Sequence, residues 1–124
     1  MRVINTTKAP EALGPYSHAT EINGVVFTSG QIPLTLEGEI VSDDVKAQTK
    51  QVLDNLKVVL DEAGSDLDSV IKATIFIADM NDFQFINEVY GQYFEQHQPA
   101  RSCIEVSRLP KDVKVEIELV AKVK

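Results

Sequence analysis

Val70-Ile71-Lys72-Ala73-Thr74-Ile75-Phe76-Ile77-Ala78 is the stretch on which the fold turns. It is rich in β-branched residues and nearly continuous in apolar character, so it reads as a strand inside a sheet. A segment of helical spacing lies on each side. Upstream, Val45, Val52, Leu53, Leu56, Val59, Leu60 and Ala63 form one apolar stripe. Ser42 suits the N-cap, with Asp43 and Asp44 in the first turn, where acids favour the helix dipole. Gly64 suits the C′ position. Downstream, residues 79–82 read as a turn and cap. Phe83, Ile86, Val89, Tyr90, Tyr93 and Phe94 then fit a second amphipathic helix. Pro99 stops it from running on.

Asn23-Gly24 lies between two strand-like segments, residues 16–22 and 25–29. Both residues tolerate positive φ, so a two-residue type I′ hairpin is predicted. Its register pairs Ile22 with Val25, Thr20 with Phe27, and His18 with Ser29. Alternation then puts Tyr16, His18 and Ser29 on one face. Pro33 and the Glu37-Gly38 turn end this unit. Toward the C-terminus, residues 101–107 and 113–123 alternate with period two, joined by a loop containing Leu109-Pro110-Lys111. The expected order is β-β-(β)-α-β-α-β-β, the bracketed strand falling between hairpin and first helix. Two helices on one mixed, mostly antiparallel sheet make a two-layer α+β class.

Composition bounds the function. A chain of 124 residues is expected to be one domain, 1–124, with little spare mass to wall in a deep private pocket. Twelve Lys and Arg are scattered among nineteen Asp and Glu, for a net charge of -7, which argues against nucleic acid or an anionic membrane as main partner. No apolar run approaches a membrane span, and no secretory signal is visible at the N-terminus. The single cysteine, Cys103, excludes an intrachain disulfide, and the cytosol is the expected compartment. His18 and His97 lie far apart in the chain, so no metal and no cofactor is expected.

The last two strands carry the chemistry. Alternation sets Ser102, Ile104 and Val106 against Arg101, Cys103 and Glu105. In the next strand Val115, Ile117, Leu119 and Ala121 oppose Glu116, Glu118 and Lys122. The apolar faces are expected to cover the helices. The opposite face then presents arginine, thiol and carboxylates together. A solvated outer face accounts for charges there, with Arg101 in an ordinary ion pair. From the pattern alone that reading is the better one; a cysteine and several polar groups on that face weaken it and suggest a covered interface with a site in it.

Gly14-Pro15-Tyr16-Ser17, Ser29-Gly30-Gln31-Ile32-Pro33, Asn87-Glu88-Val89-Tyr90, Pro99-Ala100-Arg101-Ser102-Cys103 and Leu109-Pro110, followed by Val115-Glu116-Ile117-Glu118, resemble the Rid/YjgF family of reactive-intermediate deaminases. The motifs run in family order across essentially the whole chain. The resemblance implies a chorismate-mutase-like fold and a homotrimer with three sites between subunits. It implies hydrolysis of 2-imino acids, such as 2-iminobutanoate and 2-iminopropanoate, to 2-oxo acids and ammonia.

On that resemblance Arg101 binds the substrate carboxylate, for which a guanidinium fork is suited. Glu116 holds the attacking water or, protonated, donates to the departing nitrogen. Backbone N–H groups around Gly30 and Cys103 hold the same carboxylate, Tyr16 and Ser29 shape the pocket, and Asn87 points inward to orient a neighbour. Tyr90, Tyr93 and Phe94 are expected in the core, Glu118 at the surface or interface, and His97 at an exposed helix end. A Cys103–His18 nucleophile pair lacks a third, orienting group. The alternative function is a ligand-sensing regulatory protein using the same cleft. A ribonuclease role fits the acidic charge least well.

Overall fold

The computed structural model describes all residues, 1–124. Its strands are β1 (Arg2–Ile4), β2 (Ala19–Ile22), β3 (Val25–Thr28), β4 (Val70–Ile77), β5 (Ala100–Glu105) and β6 (Val115–Lys122). Its long helices are α1 (Val45–Glu62) and α2 (Phe83–Tyr93). The strands form one sheet in the order β1-β2-β3-β6-β4-β5. Only β4 and β5 run parallel, and α2 is the crossover that a parallel pair requires.

Asn23 and Gly24 both adopt positive φ, 52° and 81°, and the hairpin pairs Ile22 with Val25 and Thr20 with Phe27 as expected. Gly64 sits at φ 80° after α1. There the Ser65 N–H reaches the Leu60 carbonyl and the Gly64 N–H reaches that of Asp61, both orphan acceptors at the helix end. β4 runs through the sheet interior, as its apolar run requires, flanked by β6 and β5.

Three expectations change. The N-cap of α1 is Asp44, whose carboxylate accepts the Ala47 N–H at 2.9 Å, while the Ser42 hydroxyl accepts the Asp44 N–H. Either side chain has cap chemistry, and the ionised one is the stronger acceptor. The bracketed strand is absent. Between hairpin and α1 only the isolated bridges Gln31–Ile117 and Leu34–Ile40 occur. The extra strand is instead β1, three residues at the N-terminus that extend the hairpin sheet.

Both helices cover one face of the sheet. Val52, Leu53, Leu56, Val59 and Leu60 of α1 and Ile86 of α2 bury against Val26, Ala73, Ile75, Ile77, Ile117 and Leu119. Removing a side chain such as Leu56 from this layer costs about 2–5 kcal/mol. The other face stays open, with Val3, Phe27 and Ile104 about half exposed on it. No helix is long and apolar enough to cross a membrane.

Candidate functional site

The parallel register of β5 places its side chains. Arg101 pairs with Ala73, Cys103 with Ile75 and Glu105 with Ile77, and all three β4 partners are buried beneath the helices. Arg101, Cys103 and Glu105 therefore lie on the helix face, at the sheet edge. Ser102 and Ile104 take the open face with Thr74 and Phe76. On the other side of β4, Phe76 pairs with Glu116 and Thr74 with Glu118, which puts both glutamates on the open face.

This corrects the expected single polar face. Within one chain, Arg101 and Cys103 stand on one side of the sheet and Glu116 on the other. The cause is the chemistry of β5. Its thiol packs against the core as a small hydrophobe, while Ile104 is left 45% exposed. Polarity was a poor guide to the inward face of this edge strand.

Two candidate half-sites result. In the first, Arg101 Nη1 donates to Asn87 Oδ1 at 2.7 Å. The guanidinium lies 4.9 Å from the Tyr90 ring centroid and 5.6 Å from that of Phe83, both cation–π distances. None of the chain's ion pairs uses Arg101. An arginine held by an amide and aromatic faces keeps most of its fork free for a carboxylate. Asn87 is exposed rather than pointing inward, yet it does orient a neighbour, and that neighbour is Arg101. Cys103 stands on the same strand face, and burial raises its thiol pKa against the opposing pull of Arg101. A raised pKa keeps the thiol protonated and a poor nucleophile. His18 belongs beside β2, beyond β3, β6 and β4 from Cys103, so the two form no pair.

In the second half-site, residues 29–31 run beside β6 through paired Gln31–Ile117 backbone bonds of 2.9 and 3.2 Å. Gly30 thereby meets Glu116 so closely that a Cβ at position 30 would lie 2.0 Å from Glu116 Oε2. Burial, and then the nearby Glu118, raise the pKa of Glu116. The Ser29 hydroxyl donates to the Ser17 carbonyl at 2.6 Å. Tyr16 is half exposed, and its hydroxyl accepts the Leu13 N–H. Tyr16, His18 and Ser29 thus have separate partners rather than one shared cluster.

His18 is 3% exposed. Its Nδ1 accepts the Thr6 N–H at 3.1 Å, so Nε2 carries the proton and donates to the Pro10 carbonyl at 2.7 Å. It pins the N-terminal loop. His97 is half-buried and not on a helix; its Nε2 lies 2.6 Å from the Val70 carbonyl. No three His, Cys, Asp or Glu side chains are grouped to hold a metal ion. Tyr90 was assigned to the core alone, but it also seats Arg101. The 83, 87, 90 spacing on one helix face carried that signal.

A family model described as endoribonuclease L-PSP matches residues 6–123. The chain belongs to this YjgF/Rid family. Within the YjgF/Rid family, a RutC family protein of Pyrococcus abyssi is 52% identical over 120 residues, covering 96% of this chain and 94% of that protein. The 2-iminobutanoate/2-iminopropanoate deaminase of Salmonella typhimurium is 45% identical over 123 residues, covering 97% and 96%. The crystal structure of Escherichia coli TdcF with bound serine is 47% identical and superposes with a TM-score of 0.94, covering 100% of both chains. The six-stranded sheet with two helices is therefore the YjgF/Rid architecture.

Proposed function

We propose that this protein hydrolyses 2-imino acids such as 2-iminobutanoate and 2-iminopropanoate to 2-oxo acids and ammonia. Arg101 carries the reading. It is oriented by a neutral amide, seated on aromatic rings and left without a carboxylate partner. A relative of the same fold holds serine, a small α-carboxylate.

The substrate carboxylate docks on the free N–H edges of Arg101, with Asn87 fixing the fork. Backbone N–H groups near Gly30 and Cys103, with Tyr16 and Ser29, complete the pocket. Glu116 holds the attacking water. The water oxygen bonds to the C=N carbon, and the π electrons pass to nitrogen. A water proton follows to nitrogen by way of Glu116. The hydroxyl proton of the resulting carbinolamine passes to the amine nitrogen by way of Glu116, the C–N bond breaks, ammonia leaves and C=O forms. Burial, and then Glu118, raise the pKa of Glu116, which makes its carboxyl a better proton acceptor than an ordinary glutamate. Imines hydrolyse readily, so positioning and charge complementarity supply what is needed.

Arg101 and Glu116 occupy opposite faces of one sheet, so a ligand that meets both takes them from two copies of the chain. The half-exposed apolar side chains on the open face supply a surface for that contact, in a homotrimer. The test generates iminobutanoate with a threonine dehydratase and traps it competitively with semicarbazide. The protein should speed 2-oxobutanoate release, and Arg101→Ala and Glu116→Ala should each abolish the effect. Trimers assembled from an equal mixture of the two inactive variants should recover about a quarter of wild-type activity, since each site draws one residue from each of two copies in a heterologous interface. No recovery would place a complete site in each chain and defeat the shared-site reading.

A further inference from the structure

We infer that the cleft beside Arg101 receives the side chain of the 2-imino acid, and that Gly91 sets the size of side chain it admits. The inference rests on the reading that Arg101 binds the substrate carboxylate. The cleft has a volume of about 370 Å³ and is lined by Asn87, Tyr90, Gly91, Phe94, Gln98, Pro99 and Arg101. Positions 87, 90, 91 and 94 share one helix face. Arg101 is a wall of this space, so a carboxylate on its fork brings the imine carbon to the mouth. The substituent on that carbon then runs along Tyr90, Phe94 and Pro99, which are apolar surfaces.

Gly91 has no reason to be glycine within the chain. It lies in the last turn of α2 and is not among the residues of positive φ. A Cβ there would meet nothing within 4 Å. Glycine is the poorest helix residue after proline, so the space above it has value of another kind.

The test compares wild type, Gly91→Ala and Gly91→Leu on two imino acids. An amino-acid oxidase makes 2-iminopropanoate from alanine and 2-imino-4-methylpentanoate from leucine, and semicarbazide competes for each. The ratio of kcat/KM, larger over smaller substrate, should fall in steps, about tenfold in Gly91→Ala and further in Gly91→Leu, the scale of one or more methylenes in an apolar pocket. Thermal unfolding should show both variants at or above the wild-type Tm, which separates a filled cleft from a damaged fold. An unchanged ratio would overturn the inference. So would a wild-type protein that hydrolyses 2-iminopropanoate but refuses the larger imino acid. A wild type inactive on both substrates would instead bring down the imine-hydrolase reading itself.

Discussion

Adding one methyl group at Gly30 tests the second half-site without touching an ionisable residue. A Cβ at position 30 would fall 2.0 Å from Glu116 Oε2, 2.9 Å from Cδ and 3.1 Å from Cγ. The carboxylate oxygen must retreat by about 1.4 Å to reach the 3.4 Å of ordinary contact. It can do so, because it is the tip of a flexible side chain. Gly30 does not have positive φ, so alanine brings no backbone strain. Stability should therefore change by less than about 1 kcal/mol, with the lower unfolded-state entropy of alanine acting in its favour. Activity should respond far more, since a displacement of about 1 Å in a catalytic group costs on the order of 100-fold. That corresponds to about 2.7 kcal/mol in the activation barrier. The semicarbazide competition assay reads kcat, and urea unfolding reads stability. A soluble Gly30→Ala protein with kcat within about twofold of wild type would refute the reasoning, since no 100-fold positional effect would remain.

Arg101→Lys keeps the charge but loses the fork, and kcat/KM should fall on the order of 10–100-fold, with far-UV circular dichroism unchanged. Glu116 has a raised pKa, so the native state holds its proton at a pH where the unfolded chain has lost it. Its ionisation therefore lowers stability as pH rises from its ordinary value of 4.5 through the raised one. Glu116→Gln should thus unfold at a higher temperature than wild type near neutral pH, and the gap should close below pH 4.5. His18→Ala orphans the Thr6 N–H and the Pro10 carbonyl, and urea unfolding should show a loss of about 1–3 kcal/mol. Sedimentation should give three times the 13.7 kDa of one chain, and Phe27→Asp on the open sheet face should shift the mass toward a single chain.

Much of the fold was legible because its strongest signals are local. Asn23-Gly24 calls for one turn type, and that turn sets the register of β2 and β3. The α1 stripe and Gly64 mark a helix body and its end without tertiary help. What escaped depends on partners. β1 has only three residues and forms by pairing with β2, so no periodicity announced it. The inward face of β5 was misread because Cys103 and Ile104 are both acceptable core residues, and only the register against β4 separates them. The candidate residues could be named from the sequence, but not their placement on the sheet. Asn87 could be tied to a neighbour by helix spacing, whereas the split between Arg101 and Glu116 required sheet geometry. The Gly30–Glu116 contact links positions far apart in sequence, and neither residue announces the other.

The bond between Arg101 and Asn87 has one more consequence, in competition rather than geometry. Residue 87 touches the guanidinium at 2.7 Å. On the proposed role of Arg101 in binding a substrate carboxylate, an aspartate there would present a carboxylate to the same fork as a tethered rival. Tethered groups reach effective concentrations of roughly millimolar or more, above those expected of a short-lived free imine. Such a chain would carry its own inhibitor on α2. Asparagine keeps the steering contact while its amide, having no charge, leaves the arginine's positive charge unmatched. Orientation without occupancy is what a receptor for a transient anion requires, and here it depends on the difference between an amide nitrogen and an oxygen.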